Sequence, residues 1–527
     1  MISYKPIRKI MLVVAALGLL AGQSNSFRAQ AEGKEPAGAT AIRITPPAPQ
    51  ISDKDRLAEL AARRTHVAQS IGPKAMMVLF SGEPRVYAND VDYQFRQENN
   101  LYYLTNLKQM GATLVLLPGN SEILFLPKRN PAAETWTGHM YSPQEAAERS
   151  GVREIWEASE FEPFIAAIRN HQPYRPKDQK VLMSSVPATG SGTAGFEGVF
   201  EAAAKNEAEI YLLVPSVQES KEYRREQRFA ADWAKTTSGF TIRNAGPIFA
   251  EMRLRKSPLE LQLLQHAIDI SIEAHERAWV NAARAKWEYE VDADVAYTFK
   301  LRNADNWGYP DIVGCGPNAT TLHYEEAQGT VKPGELLLMD VGAEYEHYSA
   351  DVTRTFPVNG RFSPAQAEVY QIVYDAQEAV AKASRPGATL GSVNQAGTEV
   401  IKDGLLKLGL ITDRNSAQYR LWFMHGTSHW LGMNVHDVGG GAKFEPGVVF
   451  TNEPGIYVRP DALDYLPRTP EDEKFIAAIK PAFDKYKGIG VRIEDDLLIT
   501  PDGVQWLTAE LPRKISDIES FIARARR

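Results

Sequence analysis

Apolar positions along the chain fall into two regimes. Residues 53–69 set Leu57, Leu60, Ala61 and Val67 at helical spacing. Short apolar runs bounded by Gly and Pro follow at 75–80, 113–117 and 123–126 and read as strands. Helix-like patterns at 143–150 and 158–169 alternate with them, which predicts an α/β layer. Within this half, Tyr87–Asn106 is dense in Tyr, Asn and charge and reads as solvent-facing loop and edge strand, with a recognition surface as the alternative. No catalytic constellation appears here.

A second regime opens at Ser257-Pro258-Leu259-Glu260. An N-cap Ser, Pro at the first helical position and Glu three residues after the Ser make a strong helix start. Leu261, Leu264, Ala267, Ile268 and Ile272 continue it at a spacing of three to four. Long helices are expected at 369–383 and 392–410, and strand-like segments at 336–356, 449–458 and 489–500. This predicts an α+β domain with acids embedded in its strands. The division expected is an N-terminal domain over 51–250 and a catalytic domain over 251–527.

Residues 1–50 read differently. Lys5, Arg8 and Lys9 precede the apolar run Ile10–Ala21, which is too short to span a bilayer comfortably, and Ala29-Gln30-Ala31 offers a cleavage pattern. A signal peptide over 1–31 is expected, hence export to the periplasm or the exterior and no stable membrane anchor after cleavage. Residues 32–50, with PPAPQ, read as a low-complexity linker, flexible or polyproline-like.

Composition narrows the classes. With 44% hydrophobic and 24% charged residues the 527-residue chain is an ordinary globular protein. Its formal charge is −7, and loss of the leader would remove four basic residues and no acid. Such a balance gives no support for nucleic-acid binding. The single cysteine, Cys315, forbids an internal disulfide, and its VGCG setting suggests packing rather than nucleophilic catalysis.

The chemistry gathers in the second half. Leu336–Arg354, LLLMDVGAEYEHYSADVTR, reads as two strands joined by a polar turn, with Asp340 and Asp351 able to face each other across the hairpin. A buried carboxylate must be paired, hydrogen-bonded or bound to a metal, and two at close range repel unless a cation lies between them. His425, His429 and His436 crowd one Gly-rich segment. His425 and His429 are four apart, but Gly426 and Ser428 between them leave a helical metal pair unassured. Glu453 ends an apolar strand before Pro454-Gly455, and Glu494 sits inside Val491–Asp496. Asp340, Asp351, His429, Glu453 and Glu494 together suit a pair of divalent ions such as Mn²⁺, Zn²⁺ or Co²⁺. Paired ions clamping an attacked carbonyl point to hydrolysis.

The order D-x10-D, HGTSHWLG…VHDVG, NEPGIY and GVRIEDD resembles the pita-bread metallopeptidases, and more closely the Xaa-Pro aminopeptidase (aminopeptidase P) family. YQFRQENNLYYLTN, TWTGHM, LHYEEA and YSADVTRTFPVNG extend the resemblance over about 75–523. It implies a pita-bread catalytic domain preceded by a creatinase/prolidase-type α/β domain that serves substrate access and oligomerisation. It also implies roles. Asp340 would bind one metal, Asp351 and Glu494 would bridge two, and His429 and Glu453 would bind the second, with Glu453 also the candidate base. His323 and His436 would hydrogen-bond the scissile carbonyl and shuttle protons. His425 would line the pocket, Arg492 would orient the bridging acid beside it, and Tyr457 would supply a hydroxyl. Asp90 and Trp136 match positions that in related oligomers approach a neighbouring subunit's active site.

The resemblance thus implies Mn²⁺ as the first candidate metal, proline-containing peptides as substrates and a homo-oligomer, dimer or tetramer. Xaa-Pro dipeptidase shares the five ligands and the histidines, while the local phrases favour the aminopeptidase. A non-enzymatic peptide-binding relative would have lost ligands, and this chain has lost none. A charged insertion at 459–488 departs from the family pattern and could narrow the site.

Overall fold

The computed structural model describes residues 42–176, 196–214 and 222–526, so the expected leader lies outside the described residues. Six strands form the N-terminal sheet, in the order Glu154–Glu157, Ser121–Leu126, Thr113–Leu117, Ala75–Phe80, Ala208–Leu212, Phe240–Asn244. Ala75–Phe80 is buried at every position, as a central strand covered on both faces must be. Its side chains alternate between two apolar clusters. Met77 and Leu79 join a core that runs on into the second half, while Met76, Val78 and Phe80 pack with Phe125, Trp156 and Phe164 on the far face.

The expected helices form at Asp53–Ile71, Pro143–Ser150, Phe161–Arg169, Pro258–Asn281, Pro364–Ala383 and Leu390–Leu408. In the first, Leu60, Val67 and Ile71 are buried, but Ala61 turns outward. The cap at Ser257 is a reciprocal box. Its hydroxyl accepts from the Glu260 amide at 3.2 Å, and the Glu260 carboxylate accepts from the Ser257 amide at 2.9 Å.

Three expectations need correction. First, only the beginning of Tyr87–Asn106 is solvent-facing, as the short hairpin Val86–Ala88 and Val91–Asp92. Its second part is the helix Asn99–Thr105, buried at every position. Glu98 caps it by accepting from the Leu101 amide at 2.7 Å, and Asn99 donates to Asn434 while Asn100 accepts from Arg253, partners in the second half that a local pattern does not reveal.

Second, the end of the expected spacer is fixed. Thr45 is 7% exposed, and it donates its amide and hydroxyl to Glu273 at 2.8 and 2.6 Å. Arg43 pairs with Asp269 at 2.9 Å on the same helix.

Third, Leu336–Arg354 is two nested hairpins rather than one. The outer arms, Leu336–Asp340 and Thr353–Pro357, pair antiparallel and match Asp340 with Thr353. The inner arms, Ala343–Tyr345 and Tyr348–Ser349, belong to a separate sheet. Asp351 therefore lies in the link between hairpins, not opposite Asp340. Gly342 makes the crossing possible, since a Cβ there would fall 2.0 Å from the Ala350 carbonyl oxygen.

Cys315 is buried, as its packing role requires. The insertion folds as a 3-10 turn, Ala462–Tyr465, and a helix, Pro470–Tyr486. That helix buries Ile479, Phe483 and Tyr486, and the Tyr486 hydroxyl donates to Glu368 on helix Pro364–Ala383. Its hydrogen bonds among the described residues reach that helix and no residue of the acid cluster.

Candidate metal centre and active site

The site is built at a break in a ladder. Val449–Asn452 pairs with Asp495–Thr500, and Gly455–Tyr457 pairs with Gly490–Arg492. Asn452 opposite Asp495 ends one ladder, and Gly455 opposite Arg492 begins the other. Glu453-Pro454 and Ile493-Glu494 occupy the gap. Proline has no amide hydrogen to give the ladder, so pairing fails where the two acids must turn inward.

Carbonyls freed by the break still need donors. Buried Gln377 donates to Asn452 and Ile493 at 3.1 and 3.2 Å. Arg354, wholly buried, donates to the Glu494 carbonyl at 2.6 Å and pairs with Asp495 at 2.6 Å. The backbone under both acids is thereby fixed.

Asp340 arrives from its strand end and Asp351 from the link. Asp340 accepts from Tyr309 and from Arg492, each at 2.5 Å. Arg492 also donates to Thr353 at 3.0 Å and to Tyr457 at 2.9 Å, and the Thr353 hydroxyl donates on to Glu494 at 2.6 Å. One guanidinium therefore orients ligand candidates from two sheets.

His429 hydrogen-bonds through Nδ1 to its neighbour Trp430's carbonyl at 3.1 Å, which turns Nε2 toward the acids. That nitrogen lies 3.3 Å from Asp351 and 3.4 Å from Glu453. Asp351, His429 and Glu494 each offer one atom, all within 4.8 Å of one another. The segment carrying His425 and His429 is irregular, so no helical metal pair forms.

Protonation reports the crowding. Burial, reinforced by neighbouring carboxylates, raises Asp340 and Glu494 above the usual acid range and lifts Glu453 to about 7. Burial would lower His429, but Asp351 and Glu453 hold it up, to about 9. In effect an imidazolium stands where a cation is wanted. His425 is lowered to about 4 by burial and by Arg492. Neutral, with its Nδ1 against the Gly426 carbonyl at 2.6 Å, it meets the Tyr457 hydroxyl through Nε2 at 2.8 Å.

His436 packs edge-on against His429 with ring centroids 4.4 Å apart. Exposed His323 lies near enough for its charge to be felt by both His425 and His436. Asp90 and Trp136 are not brought to this cluster. Asp90 is in the turn of the exposed hairpin, and Trp136 is 89% exposed on the short helix Pro131–Thr137.

Sequence reasoning missed two groups. Tyr309 binds Asp340, but a lone tyrosine in a loop carries no signal. Asp496 accepts from the Asp351 amide at 3.2 Å and has a second carboxylate oxygen without a partner among the described residues. The run Glu494-Asp495-Asp496 was its available clue.

The turn bearing His436 is held from the N-terminal half. Asn99 donates to the Met433 carbonyl at 3.2 Å and to Asn434 at 2.7 Å, and Arg96 reaches the same carbonyl at 3.0 Å. Asp437 pairs with Arg253 at 2.5 Å, with Lys256 3.8 Å away, all three buried. Gly432 lets this pair approach, because a Cβ there would sit 2.3 Å from the Asp437 carboxylate.

Fold and site together define a metallopeptidase with a separate N-terminal domain. The model of metallopeptidase family M24 matches residues 262–501, and that of the aminopeptidase P N-terminal domain matches residues 60–174. An Xaa-Pro aminopeptidase of Haemophilus influenzae is 35% identical over 480 residues, covering 88% of this chain and 97% of that protein. One from Escherichia coli is 32% identical over 483 residues, covering 89% and 98%. The structure of aminopeptidase P from E. coli in a low-pH form superposes with a TM-score of 0.74 at 30% identity, covering 91% of this chain and all of that one. A zinc-substituted form of the E. coli enzyme with product gives 0.72 at 30%. The chain belongs to metallopeptidase family M24, in its two-domain pita-bread form.

Proposed function

We propose that this protein is a metal-dependent aminopeptidase that hydrolyses the bond between an N-terminal residue and a following proline. The observation that carries the reading is the meeting of Asp351, His429 and Glu494 within 4.8 Å at the ladder break. Asp340 and Glu453 complete a donor set of four carboxylates and one imidazole, and the unpartnered Asp496 oxygen beside Asp351 adds to its demand for positive charge. That set fits two divalent cations, with Mn²⁺ our first candidate and Zn²⁺ or Co²⁺ able to replace it.

When bound, the cations supply charge that polarises the scissile carbonyl and acidifies an attacking water. The protein does the rest. Glu453, set beside His429 at the ladder break, takes the water's proton. His436 and His323 hydrogen-bond the peptide and return the proton to the leaving nitrogen. Arg492 and Tyr457 keep Asp340 and His425 in register. The bond before proline lacks an amide hydrogen, so strand-like pairing fails there and shape has to select the ring.

Two further readings accompany this one. Exposed Val86, Tyr87, Val91, Tyr93 and Trp136 on the N-terminal half support a homo-oligomer in which Asp90 and Trp136 serve a neighbour's site. The charged and apolar start of the sequence supports export.

Protein stripped by chelator and resupplied with Mn²⁺ is offered an Xaa-Pro-Xaa tripeptide and an Xaa-Pro dipeptide. The proposal expects metal-dependent release of the first residue from the tripeptide, with the dipeptide left nearly intact. Preference for the dipeptide would assign the chain to Xaa-Pro dipeptidase activity. Cleavage of neither, with any of the three metals, would overturn hydrolysis altogether.

A further inference from the structure

A second cavity, about 500 Å³, opens in the N-terminal half, lined by residues outside the acid cluster. It lies beyond the carboxyl end of the central strand Ala75–Phe80. Its rim also takes in Met110 and Gly111, just before the antiparallel neighbour Thr113–Leu117. Its floor is apolar, from Phe80, Phe161, Ile165 and Phe229. Phe80 and Phe161 meet edge-on at 5.5 Å, so the floor is already packed.

Two arginines without an ion pair among the described residues line this apolar space. Arg225, half-buried, lies over the Phe80 ring at 4.3 Å, and among the described residues its side chain has no hydrogen bond or carboxylate partner. Arg169 stacks on Trp233 at 4.7 Å and keeps a buried Nε without a partner. The cavity's third arginine, Arg228, is neutralised by Glu83 at 2.6 Å, and Asp232 by Lys235 at 2.6 Å. Burial lowers Arg225 even though Glu226, Glu83 and Glu162 oppose the shift, which is the cost of holding a guanidinium against hydrocarbon with no carboxylate in ion-pair contact.

We propose that this cavity binds a small monocarboxylate with an apolar body, its carboxylate on Arg225 and Arg169 and its body on the phenylalanine floor. Glu162 also lines the cavity without an ion pair among the described residues, so it offsets one of the two arginine charges and leaves a single negative charge as the better match than a dianion such as phosphate. The proposal is independent of the peptidase reading, since the acid cluster contributes none of the lining.

Calorimetric titration of the full-length protein with N-acetyl-L-phenylalanine, L-phenylalanine and L-phenylalaninamide tests it. Both acids should bind, one per chain, and the amide should not. Stronger binding of the free amino acid would identify the ligand as a zwitterion, and stronger binding of the acetylated one would identify a blocked acid or peptide carboxylate. Arg225→Gln should weaken the acids at least tenfold with peptide hydrolysis unchanged. Ile165→Trp, which fills the cavity without touching charge, should abolish binding and decides the matter if Arg225→Gln fails to fold. Equal binding of acid and amide, or no binding by wild type, overturns the proposal. So does binding that persists in Arg225→Gln and disappears in Asp351→Ala, because it then belongs to the acid cluster.

Discussion

Two buried charge clusters flank the turn Gly432–Asp437, and they are balanced differently. Between the domains, cations and acids match. Arg253 and Lys256 meet Asp437, Arg96 meets Glu344, and Arg63 meets Glu59 and Glu260. In the acid cluster, Asp340, Asp351, Glu453, Glu494 and Asp496 face Arg492 and His429, and burial raises the proton affinity of four of those acids. A balanced cluster fixes geometry. An unbalanced one stores affinity for a cation at the expense of the empty fold's stability.

The largest effect should come from neutralising a member of the unbalanced set. Glu494→Gln keeps shape and removes charge, and it should lower hydrolysis by about 10³-fold or more, the loss of several kcal/mol of charge stabilisation. Metal content per chain, measured by elemental analysis, should fall with it. The comparison makes a second demand. In the presence of chelator the variant should unfold at a temperature no lower than wild type, because a repelling charge has gone. A clear loss of stability without metal would mean that the cluster is balanced after all.

The interdomain cluster should respond the opposite way. Arg253→Met leaves Asp437 buried with only Lys256 at 3.8 Å. An uncompensated buried charge costs about 3–5 kcal/mol, which urea unfolding would register with or without metal. Asn99→Ala is milder. It removes one of the two donors to the Met433 carbonyl and frees Asn434, loosens the turn carrying His436, and should reduce kcat by between about 10- and 100-fold with metal content unchanged. Unchanged kcat would show that His436 is positioned from its own domain alone.

The same contrast explains what the sequence made legible. Asp340, Glu453 and Glu494 interrupt apolar strands, and an acid in that place advertises either a ligand or an error. The capping box at Ser257 and the buried run Ala75–Phe80 are equally local signals. The helix Asn99–Thr105 was hidden because two of its polar side chains, Asn99 and Tyr102, are satisfied by residues more than 200 positions away, Asn434 and Glu346. The inner hairpin was hidden for a related reason. Its turn residues Glu346 and His347 have φ of 48° and 70°, a conformation usually given to Asn-Gly. Tertiary contacts hold it instead. His347 stacks on Tyr102 at 3.8 Å, and Tyr102 donates to Glu346. Without the N-terminal half no local rule would place that turn, and with it the link bearing Asp351.

The smallest expected effect lies at the outer edge of the balanced type, where Thr45 meets Glu273. Burial would raise this carboxyl, but hydrogen bonds from Arg302, Thr45 and Arg277 bring it from 4.5 down to about 2. A lowered folded-state value means that the unfolded chain takes up the proton first as pH falls. The stabilisation is therefore complete above about pH 4.5 and is lost progressively toward pH 2. Thr45→Val removes one hydroxyl donor to a charged acceptor and keeps the backbone bond, so it should cost about 1.5 kcal/mol at neutral pH. Urea midpoints of wild type and variant should run parallel from pH 7 to 5 and converge below 4.5. A gap that stays constant down to pH 3 would show that Thr45 acts through packing, and that the spacer's end is anchored by shape rather than by the charge it satisfies.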